Sequence, residues 1–324
     1  MDIVPVSLKQ MVTEELLQAA PAEVDVFIDA IRQRFGTTVV AILFYGSCLR
    51  KRALENEVAD FYVLVDSYDA AYRSSPFLRS SNTLLPPNVF YMERSRGDVT
   101  LRAKYAVISY RDFAHAASSQ CLHSIVWGRF CQPARLVYVR DEAAQHVVIE
   151  AVGQSIMTMV ARIAPLLLAS EETEPMALEE LWQLGFRESY RMELRPELPG
   201  TIRALYETMP QRYHRVADAA FHDLARHGWL WVRTDAAHGY VTIPKLQLWY
   251  TRLSWHWRRP FAKGIYFLRL AKSAFTFGDW FPYVLWKIGR HRGENLEATD
   301  RQRKHPFIFG VPVLIKLLLR GDLR

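Results

Sequence analysis

At 324 residues the chain is long enough for two domains or one large one, and burying a sizeable core is no difficulty at that length. Half of the residues are hydrophobic and 23% are charged, which excludes a disordered chain. Cys48, Cys121 and Cys131 are too few for a disulfide framework or a zinc module and suit a reducing compartment. No uncharged apolar run of about 18 residues occurs, and the N-terminal residues have neither signal-peptide nor transit character, so neither a conventional membrane span nor a leader is expected. The net charge of +7 is uneven: from Tyr250 onward 15 Lys and Arg face 5 Asp and Glu, a balance of +10, while the other 249 residues carry 26 against 29, a balance of −3. A basic last quarter points to an acidic partner, nucleic acid or an anionic membrane surface.

In chain order, residues 8–35 read as helices, with Leu16, Val24, Phe27, Ile28 and Ile31 in partly helical spacing and Gly36 as a stop. A strand is predicted at Thr38 to Tyr45, then a turn containing Gly46 and Ser47, a second strand at Val58 to Val65 and a third at Val99 to Ser109. Helix follows from Arg111. From about 145 to 220 the chain reads as mostly helical, broken at Ser170 to Pro175 and Arg195 to Gly200. A helix ending near Gly228, with short strands at Trp229 to Val232 and Tyr240 to Ile243, is similar to a winged-helix fragment, a weak pattern that many small modules share. The fold class expected is α+β: a mixed sheet with flanking helices over 1–145, a helical, winged-helix-like unit over 146–248, and a basic, aromatic tail over 249–324.

The strongest chemical pattern is Phe44-Tyr45-Gly46-Ser47 on a strand end, followed after twelve residues by Asp60-Phe61-Tyr62-Val63 on the next strand. This resembles the nucleotidyltransferase superfold. Gly46 would let the backbone approach a triphosphate, Ser47 would hydrogen-bond its oxygens, and Asp60 would hold Mg²⁺ against the same phosphates. An ordinary turn is the plain alternative for Gly-Ser. The superfold usually carries carboxylates at i and i+2, but Tyr62 stands at the second position. Asp66 shares the strand face yet lies roughly 20 Å from Asp60 at about 3.3 Å per residue, so it reads as a strand-ending turn residue. Asp98 is the nearest candidate in sequence for a second carboxylate.

Longer stretches carry a more specific likeness. FYGS at Phe44, DFYVLVD at Asp60, NTLLPPNVFY from Asn82, KYAVIS at Lys104, and Trp127, Gly128, Arg129 and Pro133 in WGRFCQP stand in an order and spacing that resemble the mitochondrial-type phosphatidate cytidylyltransferases, the translocator assembly and maintenance family. The motifs cover about a third of the chain, from Phe44 to Arg140, and the last 75 residues match only loosely, to bacterial-looking members. The resemblance implies a Mg²⁺-dependent reaction of CTP with phosphatidate to give CDP-diacylglycerol and pyrophosphate, as in phospholipid and cardiolipin synthesis. Lys104 is the candidate phosphate-neutralising cation and Arg129 a second phosphate-binding cation; a surface lysine and a structural ion pair are the respective alternatives. His123 reads as a helix-face histidine before a catalyst, and Cys48 as a small residue that fits beside the turn.

The segment Trp249 to Phe275 mixes aromatic, aliphatic and basic residues, and five of the nine tryptophans, Trp249, Trp255, Trp257, Trp280 and Trp286, lie beyond residue 245. Phe307 to Leu319 is apolar but too short to span. Such a tail either rests in a bilayer interface or belongs to the core; a substrate that stays in the bilayer favours the first. The expected partners are therefore CTP, phosphatidate and an anionic membrane surface, with the protein cytoplasmic and peripheral at the membrane's inner face. No nucleic acid is expected. A nucleotidyltransferase acting on a sugar, tRNA or protein, and a non-enzymatic winged-helix nucleic-acid binder, are the competing readings.

Overall fold

A computed structural model describes residues 7–51, 54, 57–168, 174–194, 200–276 and 299. The chain begins with α1 (Leu8–Leu16), capped by the Ser7 hydroxyl accepting from the Gln10 amide, and α2 (Asp25–Phe35). Gly36 ends α2 at positive φ, and β1 (Val39–Tyr45) follows as a nearly continuous buried apolar run, the mark of a central strand. A short helix, α3 (Ser47–Lys51), leads to β2 (Val58–Val65), then α4 (Tyr68–Ala71) and α5 (Pro76–Leu84). A hairpin of β3 (Asn88–Arg96) and β4 (Val99–Ser109) precedes α6 (Tyr110–Ala117), α7 (Trp127–Phe130) and β5 (Ala134–Val139).

These five strands form one mixed sheet in the order β3-β4-β2-β1-β5. The β2–β4 pair is parallel and the other pairs are antiparallel. Alternation gives the sheet two apolar faces. Phe44, Phe61, Val63 and Val107 face α2 with its Phe27, Ile31 and Phe35. Leu43, Tyr62, Leu64, Ala106 and Ile108 join the larger core on the other side.

That larger core is organised by α8 (Glu142–Leu167), which is capped by Asp141. It packs on α1, α6, α7, β1 and β5, and also on the elements that follow. Among the described residues α8 is the one helix long and apolar enough to cross a membrane by length and composition, and 67% of its most apolar stretch is buried, as in a core helix. The boundary expected at 145/146 falls inside its first turn. Beyond it come β6 (Glu174–Ala177), α9 (Leu178–Met192), α10 (Thr201–Glu207), α11 (Pro210–Leu224), β7 (Leu230–Arg233) and β8 (His238–Thr242), with a second sheet in the order β6-β8-β7.

The first 28 residues of the basic tail belong to one continuous helix, α12 (Lys245–Thr276). It packs on α8, α9 and β3, burying Leu248, Trp255 and Ala262. Trp249 and Trp257 are 61% and 76% exposed, so the two readings of the tail divide between its faces. Trp280, Trp286 and Phe307 to Leu319 lie outside the described residues.

Candidate functional site

The end of β1 turns sharply at Gly46, with φ +90°. A Cβ built there would stand 2.9 Å from Asp60 Oδ2, so the turn lies directly against that carboxylate. Glycine is needed here twice over, for the backbone conformation and for the close approach. Strand register explains the placement, since Tyr45 pairs with Asp60 on β2, and Asp60 pairs with Lys104 on β4. Lys104 Nζ lies 3.4 Å from Asp60 Oδ1, with the two side chains 32% and 25% exposed. Thus Gly46 and Asp60, paired by spacing in the sequence, and Lys104, expected separately, form one solvent-reachable row at the sheet's end, with Ser47 opening α3 beside them.

Tyr62 accounts for the absent second carboxylate. Its ring is buried against Tyr45, Phe113 and Phe130 at centroid distances of 5.6, 6.0 and 5.1 Å, and its hydroxyl donates to the Ile125 carbonyl at 3.2 Å. A carboxylate in that aromatic enclosure would be charged and poorly solvated. Asp98 does not replace it: it sits exposed in the β3–β4 turn, six residues from Lys104 and so about 20 Å along the strand. Asp66, just past the end of β2, forms an ion pair with Arg140 at 2.6 Å.

Arg129 takes the structural alternative left open for it. Its guanidinium bonds Glu193 at 2.7 Å and the Ile125 carbonyl at 2.8 Å. Burial alone would lower its pKa, and Glu193 together with Tyr62, Tyr45 and Tyr266 outweighs this, holding the charge well above the ordinary range. Ser124 Oγ donates to the same carboxylate at 3.1 Å. Gly128 lets α7 approach α9, because a Cβ there would meet Ser189 Oγ at 2.7 Å. The WGR motif therefore fastens α7 to α9 beside the site. His123 is held neutral, its pKa pushed down to about 3 by burial and then by Arg269, whose Nη2 lies 3.0 Å from His123 Nε2. Cys48 is pushed up to about 12 by burial and by Asp60, which removes it as a thiolate nucleophile near neutral pH.

Among the described residues no group of three or more His, Cys, Asp or Glu side chains could hold a metal ion. A lone carboxylate is still a sufficient protein share for Mg²⁺ when substrate phosphates and water supply the other oxygens. Asp60 fits that arrangement, being one-quarter exposed and faced by a glycine with no Cβ. No family model and no curated protein matches the chain.

Sequence reasoning missed Glu193, which lies 64 residues from Arg129, and the inward-facing cations of α12. No local motif marks either.

Proposed function

We propose that the chain is a nucleotidyltransferase that moves a cytidylyl group from CTP to phosphatidate, forming CDP-diacylglycerol and pyrophosphate for phospholipid synthesis, cardiolipin included. The observation that carries this reading is the glycine turn pressed against Asp60, with Lys104 in register beside it. In this reading the five-stranded sheet is nucleotidyltransferase-like. Gly46 and Ser47 receive the triphosphate, and Lys104 neutralises phosphate charge once the nucleotide competes for it. Asp60 and the nucleotide's own oxygens hold Mg²⁺, which when bound supplies further charge neutralisation and orients the phosphates.

The chemistry asks little of the protein in proton transfer. A phosphate monoester is already anionic near neutral pH, so its oxygen attacks the α-phosphorus without a strong general base. The new P–O bond forms as the α–β bridging bond breaks, and pyrophosphate leaves with the electron pair. What the site must supply is cations, because one anion approaches another. One carboxylate beside a lysine suits that demand better than a pair of carboxylates would.

The outer face of α12 supports a peripheral place at the inner, anionic face of the membrane. Leu246, Trp249, Leu253, Trp257, Phe261 and Leu268 recur at helical spacing and are exposed, and Lys263 accompanies them. An apolar aromatic stripe with flanking basic residues is the pattern of a helix lying in an interface. The strand order β6-β8-β7 behind α9 to α11 supports a winged-helix-like reading of that unit. Its best recognition element would be α11, yet that helix packs its apolar face into the core and its Arg212 is held by Glu15 and the Cys131 carbonyl. Nucleic-acid binding is therefore the weaker reading.

The test is incubation of the full chain with labelled CTP, Mg²⁺ and vesicles containing phosphatidate, with lipid products separated by chromatography. Labelled CDP-diacylglycerol is expected from the wild type and none from Asp60→Asn, which should stay folded. No labelled lipid from wild type, or equal turnover in the variant, would overturn the assignment.

A further inference from the structure

The inner face of α12 carries a second set of residues with chemistry to explain. Arg258, Arg269 and Lys272 project toward the sheet side of the helix, where Arg162 of α8 joins them. Most of their paired donors go to main-chain carbonyls, while Arg258 Nε meets Ser254 Oγ and Arg269 Nη2 meets His123 Nε2. Arg258 Nη1 reaches the Cys121 carbonyl at 3.1 Å, and Arg162 Nη2 donates to Ser119 at 2.8 Å and also to Cys121. Arg269 Nε reaches Pro86 at 2.7 Å, and Lys272 Nζ reaches Pro87 at 2.8 Å and also Leu85. Among the described residues none of the four has a carboxylate within ion-pair distance. Glu193, which influences Arg269, is already bonded to Arg129.

Carbonyl dipoles satisfy donors, but they do not neutralise four cations. The strain is visible in their protonation. Burial, then Arg258, pushes Arg162 down to about 9, and burial, then Arg269, pushes Lys272 down to about 7. Arg162 and Arg258 are almost fully buried, whereas Arg269 and Lys272 keep part of their surface open. An anion reaching those two would relieve a repulsion that no described carboxylate offsets.

Register locates this pair relative to the proposed nucleotide site. Tyr62 pairs with Ala106, and Ala106 with Val89, one pleat repeat along from the Asp60–Lys104 row and on the same face. That repeat is about 7 Å. The C-terminal half of α12 crosses this second row: Thr276 donates to the Val89 carbonyl, Lys272 and Arg269 bond Pro87 and Pro86 just before it, and Arg269 is electrostatically coupled to Tyr62. Pro87 and Pro86 lie two and three residues before Val89, so the pair stands past this second row, with Arg269 the member coupled back to Tyr62.

We infer that Arg269 and Lys272 of α12 form the acceptor subsite of the proposed transferase, binding a phosphate monoester dianion beside the nucleotide's phosphates. This rests on the cytidylyltransferase reading for the identity of the reaction, but the anion site itself does not. A single helix would then present one face to the bilayer and hold, on the other, the headgroup drawn from it. The ligand chemistry is a phosphomonoester, whether free phosphate or a lipid headgroup.

Two arms of one experiment test it on the full chain. In the first, wild-type protein is acylated with acetic anhydride at pH 8, and Lys272 labelling is followed by mass spectrometry. Three additions are compared: inorganic phosphate, dihexanoyl phosphatidate, and dihexanoyl phosphatidylglycerol, a phosphodiester. Both monoesters are expected to protect Lys272 at least fivefold and the phosphodiester not to; protection by inorganic phosphate equal to that by the lipid would identify the headgroup phosphate alone as the ligand. Absence of protection by either monoester overturns the subsite, whether or not the protein makes CDP-diacylglycerol. In the second, Arg269→Gln and Lys272→Gln are each expected to raise KM for dihexanoyl phosphatidate at least tenfold while leaving KM for CTP within twofold. A folded variant with unchanged phosphatidate KM, or with both constants raised equally, shows these cations to be structural. Protection in the first arm without cytidylyl transfer by the wild type would keep the anion site and discard the reaction.

Discussion

Replacing Gly46 by alanine should do two separable kinds of damage. An L-residue held at φ +90° carries backbone strain of about 1–3 kcal/mol, which appears as lost stability. The new Cβ would also meet Asp60 Oδ2 at 2.9 Å, where ordinary contact begins at 3.4 Å, so the carboxylate must retreat by about 0.5 Å. A displacement of about 1 Å at a reacting centre can cost roughly 100-fold in rate, which places the expected loss for half that distance at roughly tenfold. Gly97→Ala is the control, because Gly97 also has positive φ (+59°) but nothing within 4 Å of its built Cβ. Urea unfolding followed by tryptophan fluorescence, with cytidylyl transfer measured at saturating Mg²⁺, separates the two effects. Both variants should lose stability, and Gly46→Ala alone should lose turnover. A Gly46→Ala protein with wild-type kcat/KM, or a Gly97→Ala protein equally impaired, would refute the placement of the site.

Three further outcomes are expected. Arg129→Met leaves the buried Glu193 carboxylate without the Arg129 cation and should cost about 3–5 kcal/mol in urea unfolding, whereas the double variant Arg129→Met/Glu193→Leu should recover most of it; no recovery would mean that the pair is not the origin of the loss. Lys272 binds its proton less tightly when folded, at about 7 against an ordinary 10.5, so between those values the unfolded chain holds more protons and stability rises with pH. The stability difference between wild type and Lys272→Met should therefore move in favour of the wild type from about pH 7 to pH 9, and parallel curves would contradict this. Trp249→Ser/Trp257→Ser should weaken sedimentation with anionic vesicles at least tenfold at unchanged Tm, since each exposed ring can contribute about 1.5–3 kcal/mol on burial in an interface, whereas Trp255→Ser should lower Tm.

The parts of the fold legible in sequence are those whose local pattern and tertiary role agree. β1, β2 and β4 are apolar, β-branched and aromatic because they are the three inner strands, with both faces covered. β3 and β5 are the sheet's edges. β3 runs from apolar Val89–Met92 into Glu93–Arg96, whose outer residues are exposed, and β5 is only six residues long, so neither shows a clear period. β6 lies beside a polar break and exists through its pairing with β8. Asp60 and Gly46 could be paired from spacing because one turn and one short helix join their strands. That Lys104 stands beside Asp60 depends on the parallel β2–β4 register across more than forty residues, which no local pattern encodes.

The charge asymmetry has a physical reading that composition alone does not give. A basic tail reads as a solvated polyelectrolyte arm, yet the described part of this one is a helix with two different faces. Outward, its aromatic residues are too exposed to be explained by the core. Inward, Arg258, Arg269 and Lys272 are too buried to be explained by solvation, and among the described residues they meet carbonyls, Ser254 and His123 with no carboxylate. Burying positive charge with no carboxylate among the described residues lowers stability, and negative charge arriving there would offset the cost. The same helix that offers aromatic rings to an interface would thus complete its own electrostatics only when a phosphate from that interface is seated. This couples the arrival of an acceptor to the stability of α12 on the sheet: dihexanoyl phosphatidate should protect the α12 amides from hydrogen exchange, and an acceptor that leaves their exchange unchanged would break that coupling.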